Sequence, residues 1–136
     1  MMPSDRSGIT NNQPIIGVVG PCGSGKTTLT NELIKLGVYA RHIAQEHSYV
    51  PTMWQRITNP DILIFLDASY PETIRRRGLD WNIEEYNEQQ RRLEHARQHC
   101  DLYLFTDPLT PERVIHSVVD FLRNQGLPIN SPDNSG

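Results

Sequence analysis

Gly20-Pro21-Cys22-Gly23-Ser24-Gly25-Lys26-Thr27 lies between an apolar run, Ile15–Val19, and an amphipathic segment carrying Leu29, Leu33 and Leu36. The spacing Gly-x-x-x-x-Gly-Lys-Thr after a strand and before a helix carries a mechanism. A chain turning through such a loop presents successive backbone N–H groups in a concave nest, and the glycines let that backbone approach a ligand closely. The first turn of the helix adds partial positive charge at the same point. These features suit a chain of phosphates. Lys26 is placed to reach the outer phosphates and to act in catalysis. The Thr27 hydroxyl is placed to complete the shell of a Mg²⁺ ion, and Thr28 to offer its N–H to the innermost phosphate. Gly20, Pro21, Cys22, Gly23, Ser24, Gly25, Lys26, Thr27 and Thr28 are therefore the candidate cofactor-binding residues, and the expected cofactors are ATP and Mg²⁺. No Asn-Lys-x-Asp guanine signature occurs, which disfavours a GTP switch.

Outward from the loop, Ile15–Val19, Ile62–Leu66 and Leu102–Phe105 read as strands buried on both faces, with Val38–Ala44 as a weaker candidate, either an edge strand or one covered on a single face. Helices are expected between them. The first runs from the loop to Leu36 and stops at Gly37. A short one fits Met53–Ile57, and Ser69 followed by Glu72 opens another that carries Ile74 and Arg75–Arg77. One continuous helix is expected over Ile83–His99. The last begins at Thr110-Pro111 and buries Val114, Ile115, Val118, Val119 and Leu122. Strands alternating with helices imply an α/β fold with a short parallel sheet of about four strands.

The 136-residue length allows one ordinary domain. Residues 14–125 form it, and the polar stretches 1–13 and 126–136 are expected to be disordered tails. A net charge of −3 argues against a nucleic-acid partner, and no apolar run is long enough to span a bilayer. Met1–Gln13 lacks the apolar stretch of a signal peptide, and Cys22 and Cys100 do not suggest a disulfide framework. A cytoplasmic location is expected.

Pro60-Asp61-Ile62-Leu63-Ile64-Phe65-Leu66-Asp67-Ala68-Ser69, with Glu72 and Arg75-Arg76-Arg77, resembles the strand and arginine helix before the lid of P-loop small-molecule kinases. Ala96–Leu122, with Asp101, Thr106-Asp107 and Thr110-Pro111-Glu112, is similar to their last strand and helix. Shikimate, gluconate and adenylate kinase-like proteins share this pattern. The resemblance implies a three-layer P-loop NTPase sandwich, lid arginines over the triphosphate, and a loop Thr106–Thr110 bordering the nucleotide base. The chain departs from it in having one strand fewer. It also lacks an Asp-x-Asp or Asp-Gly-x-x-Arg acceptor signature between Lys26 and Ile62. In that place stands Gln45–Trp54, the candidate site for a small-molecule or protein acceptor.

Two acids are candidates for orienting Mg²⁺, Glu46 beyond the Val38 strand and Asp67 at the end of the Ile62 strand. Asp67 takes that role if its strand lies beside the first one; Glu46 is favoured if the strand is the one before the lid. Asp61, at the opposite strand end, reads as structural. Arg75 and Arg77 are the candidate catalytic lid residues, from a basic set that also includes Arg76, Arg91, Arg92 and Arg97. His95 and His99 have the spacing of a helical metal pair but lack a third ligand nearby, and a redox or nucleophilic Cys22 is weighed against a small residue tolerated in the loop. The expected activity is phosphoryl transfer from Mg-ATP to an unidentified acceptor. The alternative is an NTPase or nucleotide-dependent binding module.

Overall fold

Runs of Val, Ile and Leu with no polar interruption pack on both sides, and the first such run, β1 (Ile16–Val19), is buried along its whole length. In the computed structural model, which describes residues 13–129 apart from Leu79, β1 lies inside a four-stranded sheet. Its neighbours are β2 (Ala40–His42) and β3 (Ile62–Asp67), and β4 (Leu102–Phe105) flanks β3. The order is β2-β1-β3-β4 and every pairing is parallel. Asp61 serves this register: its Oδ2 accepts the Ile15 N–H at 2.7 Å, at the end of the sheet away from the Gly20–Gly25 loop.

Helices cover both faces. On one, α1 (Lys26–Lys35) and α6 (Pro111–Asn124) bring Leu29, Leu33, Val114, Val118 and Leu122 against Ile16, Val18, Ile64 and Leu66. Each fully buried aliphatic side chain of this kind stabilises by roughly 1.5–3 kcal/mol. Thr110 caps α6 by accepting the Arg113 N–H, with Pro111 in the first turn as expected. On the other face α2 (Met53–Ile57), α4 (Ile83–Arg92) and α5 (Glu94–His99) place Trp54, Leu93 and Ala96 over Val19, Leu63 and Phe65. The remaining helix, α3 (Tyr70–Arg77), follows β3 and starts at Ser69, whose hydroxyl accepts the Glu72 N–H.

Two expectations are corrected. Ile83–His99 is not one helix, because Leu93 (φ −94°, ψ −2°) interrupts it. The break seats Leu93, wholly buried, in the apolar cluster on the sheet and lets α5 follow it. β4 is not buried on both faces either. It is the sheet edge, and Leu102 and Leu104 pack inward while Tyr103 and Phe105 remain 45% and 47% exposed.

The chain stays on the body beyond α6. Leu127 and Ile129 join the core, and Arg123 Nε donates to the Ile129 carbonyl at 2.7 Å, whereas the sequence drew the domain boundary at 125. The rest of the two expected tails, 1–12 and 130–136, lies outside the described residues. Among the described residues, no helix is long and apolar enough to cross a membrane.

Candidate functional site

The loop Gly20–Gly25 turns from β1 into α1 at the carboxyl edge of the sheet, and its path demands glycine. A Cβ on Gly20 would stand 2.0 Å from the Leu66 carbonyl oxygen of the neighbouring strand. Gly25 holds φ 102° at the N-cap of α1, a left-handed conformation that other residues adopt only at a cost. No side chain caps this helix, so its leading N–H groups are left to backbone, solvent or ligand. Thr27 and Thr28 are exposed on the first turn.

Lys26 folds back over the loop instead of extending into water. Its Nζ donates to Gly20 O (2.9 Å), to Pro21 O (3.4 Å) and to Glu46 Oε2 (2.9 Å). Glu46 comes from the 3-10 turn Gln45–His47 that follows β2. It reaches the loop because β2 is the direct parallel neighbour of β1. The turn is pinned by Gln45, fully buried, which donates to the carbonyls of Val50 and Arg92 and accepts the Trp54 N–H. Two buried atoms here, Ser24 Oγ and Glu46 Oε1, have no hydrogen-bond partner among the described residues. Buried polar atoms are nearly always paired, so both have capacity for a water or a ligand.

Asp67 is held differently. β3 lies beside β1 and also leads into the arginine helix, so both conditions weighed for Asp67 and Glu46 are met at once. The hydrogen bonds separate them. Asp67 Oδ1 accepts from the Ala68 N–H (3.0 Å) and Gln90 Nε2 (2.9 Å), Oδ2 accepts from the Tyr103 hydroxyl (2.6 Å), and Arg97 lies 3.8 Å away. Burial and the bond to Asp67 push the Tyr103 phenol up, so it remains a donor. Asp67 thus fastens α4, α5 and β4 to β3, with both oxygens engaged.

The arginines of α3 divide similarly. Arg75 is exposed and pairs with Glu72, whose carboxyl the Arg75 hydrogen bond holds down at about 2. Arg77 is exposed, with its aliphatic stem beside Gly23. It is Arg76 that touches the loop, donating to Gly23 O (3.2 Å), to Thr106 Oγ1 (2.9 Å) and to Thr106 O (2.7 Å). A cleft of about 480 Å³ opens beside the loop, bounded by Ser24, Gly25 and Thr28, by all three arginines, and by Thr106, Leu109 and Thr110. Of the second basic stretch, Arg92 donates to the Glu46 carbonyl (3.3 Å), while Arg91 and Arg97 pair with Glu88 and Glu94.

Gln89 has no place among the sequence candidates. Its Oε1 accepts the Cys22 N–H at 3.0 Å and its Nε2 donates to Cys22 Sγ at 3.2 Å, clamping the loop from α4. Within Gln89-Gln90-Arg91-Arg92 it reads as solvated helix surface, and no local signal sets it apart. The His95–His99 pair serves packing. Trp54 Nε1 donates to His95 Nδ1 at 3.1 Å, and the two imidazoles stack at 4.1 Å. Within Gln45–Trp54, Gln45, Glu46 and Trp54 are buried and only Tyr49, Val50 and His47 present large side chains to solvent, with Arg92 over the Tyr49 ring at 4.2 Å. Both cysteines are free thiols.

Protein-family models give no match to this chain, and neither do the curated proteins.

Proposed function

We propose that this chain binds Mg-ATP as a P-loop NTPase-type protein of kinase-like build, with phosphates in the Gly20–Thr27 loop and the base in the adjoining cleft. The observation that carries the proposal is Lys26: a buried ammonium held over the loop by two of its carbonyls and by Glu46, while Ser24 and Gly25 of the same loop border a cleft lined by three arginines. An ammonium so placed needs only a small movement to meet phosphate oxygens, and the uncapped start of α1 offers N–H groups to the same ligand. Thr106, Leu109 and Thr110 line the cleft where the kinase resemblance puts the base.

The donor set fits Mg²⁺ held by the triphosphate. Thr27 offers an exposed hydroxyl, and Glu46 has a buried oxygen with no partner, while both Asp67 oxygens are engaged. Thr27 and Glu46 would hold the ion or its waters, and the metal would supply neutralisation of phosphate charge. Arg76, fixed by Thr106 and Glu72, is the arginine positioned at the loop; Arg77 and, once released from its exposed pair with Glu72, Arg75 can close over the cleft.

Phosphoryl transfer to an acceptor is the leading activity, and a nucleotide-dependent module without a phosphorylated product is the second reading. The second is favoured by the segment between β2 and β3, where Gln45 and Trp54 are spent on packing. Calorimetry on wild type and Lys26→Ala tests binding: the variant should lose Mg-ATP affinity, and unchanged affinity would refute the loop's role. ADP release over a panel of sugars, nucleosides, nucleotides and short acids separates the activities. Acceptor-stimulated turnover marks a kinase, and slow acceptor-independent hydrolysis marks the module.

A further inference from the structure

The turn that delivers Glu46 to Lys26 also delivers the next residue, His47, to Cys22 of the loop. His47 Nε2 lies 3.8 Å from Cys22 Sγ and 3.6 Å from Glu46 Oε2. One ligand atom from each of the three residues falls within 4.8 Å of the others. Thiolate, imidazole and carboxylate around a tetrahedral ion, with metal–ligand bonds of about 2.0–2.3 Å, stand roughly 3.3–3.6 Å apart. The two distances from His47 are close to that spacing, and the third pair, within 4.8 Å, has to close by no more than about 1.5 Å to hold one ion.

Three further observations point the same way. Glu46 is 3% exposed, and its Oε1 has no hydrogen-bond partner, so the carboxylate has acceptor capacity left after Lys26 is served. Gln89 Nε2 donates to Cys22 Sγ, an arrangement that favours the sulfur as an electron-rich acceptor. The Cys22 N–H is held by the same Gln89 side chain, which fixes the residue that carries the sulfur. His47, by contrast, is largely exposed, so an ion can enter from its side and keep one position for water.

We infer that Cys22, Glu46 and His47 form a binding site for a thiophilic divalent cation of the zinc class. The hard cation expected with a triphosphate prefers oxygen ligands and gains little from sulfur, so the two sites differ in chemistry although they share Glu46 and the loop residue Cys22. Coordination converts the Cys22 thiol to thiolate and passes its proton to solvent. The site stands apart from the nucleotide proposal, since it requires no phosphate.

Cobalt(II) titrated into the nucleotide-free protein tests it, because a cobalt–thiolate bond gives a near-ultraviolet charge-transfer band and a tetrahedral site gives strong visible bands. The expected result is one equivalent bound at micromolar cobalt, displaced by zinc, with about one proton released. Cys22→Ser should remove the charge-transfer band. His47→Ala should weaken binding by more than the roughly 10- to 100-fold that an outer-shell partner is worth. His99→Ala, which breaks the histidine pair on α5, should leave the spectrum unchanged. Circular dichroism of each variant confirms that it is folded. Absence of a thiolate band in wild type, or an unchanged titration in Cys22→Ser, would overturn the proposal.

Discussion

Lys26 Nζ sits 2.9 Å from Glu46 Oε2, and the two side chains are 9% and 5% exposed. The contact joins the loop after β1 to the turn after β2. Charges at this depth are tolerable as a pair and costly singly, because neither is adequately solvated alone. In the proposed complex the phosphates take over the neutralisation of Lys26, and Glu46 is released to the metal.

Glu46→Ala is expected to destabilise the nucleotide-free protein by about 3 kcal/mol in urea unfolding, since it leaves the Lys26 ammonium buried without a counter-charge. Mg-ATP should recover part of that loss; a ligand at a hundred times its dissociation constant stabilises by about 2.7 kcal/mol. An equal deficit with and without nucleotide would mean that phosphate does not replace the carboxylate.

Gly20→Ala meets backbone, not a side chain that could swing away, at 2.0 Å from Leu66 O. Overpacking against rigid atoms costs roughly 1–3 kcal/mol or more. The variant should melt well below wild type, and a melting temperature within error of wild type would show that β1 and β3 can part at this point.

Arg76 and Arg75 are neighbours with different surroundings. Arg76→Ala removes bonds to Gly23, Thr106 and Glu72, and should cost about 1–2 kcal/mol together with nucleotide affinity. Arg75→Ala removes an exposed, solvent-screened pair with Glu72 and should leave stability close to wild type. Paired thermal melts and Mg-ATP titrations decide it, and a larger stability loss from Arg75 would reverse the assignment.

Tyr103→Phe strips Asp67 Oδ2 of its hydroxyl donor and should cost about 1 kcal/mol, below the usual value for a charged acceptor because the ring is 45% exposed. Burial and the Asp67 bond raise the phenol's pKa above its ordinary value of 10.0. A raised folded pKa contributes stability that is complete below pH 10.0 and is lost as pH climbs further. Unfolding free energies of the two proteins should therefore converge on the alkaline side, and a constant gap from pH 8 to pH 11 would contradict the role given to Tyr103.

All four strands, β2 as the weaker edge-type run, and the caps of α3 and α6 are legible in the sequence because their signals are local. Val, Ile and Leu runs mark β1 and β3, and Ser69 and Thr110 stand at the caps of α3 and α6. β4 was found but misjudged, because an apolar run of four residues looks the same whether one face or two are covered. The break at Leu93 has no local signal either: no glycine or proline stands near it, and Leu93 is buried in the apolar cluster on the sheet.

The eight residues from Gly20 to Thr27 needed only their order to be read as a phosphate loop, since strand, glycines, lysine and helix start are all set by neighbours in the chain. The contact of Glu46 with Lys26, that of Arg76 with Gly23, the clamp from Gln89, and the meeting of Cys22 with His47 come from the tertiary structure alone. Each joins residues at least twenty positions apart, brought together by parallel pairing of β1 with β2 and β3 and by helices crossing the sheet. A side chain's chemistry is written in its type. Which partner it meets depends on the strand order, and no local pattern in the chain encodes that.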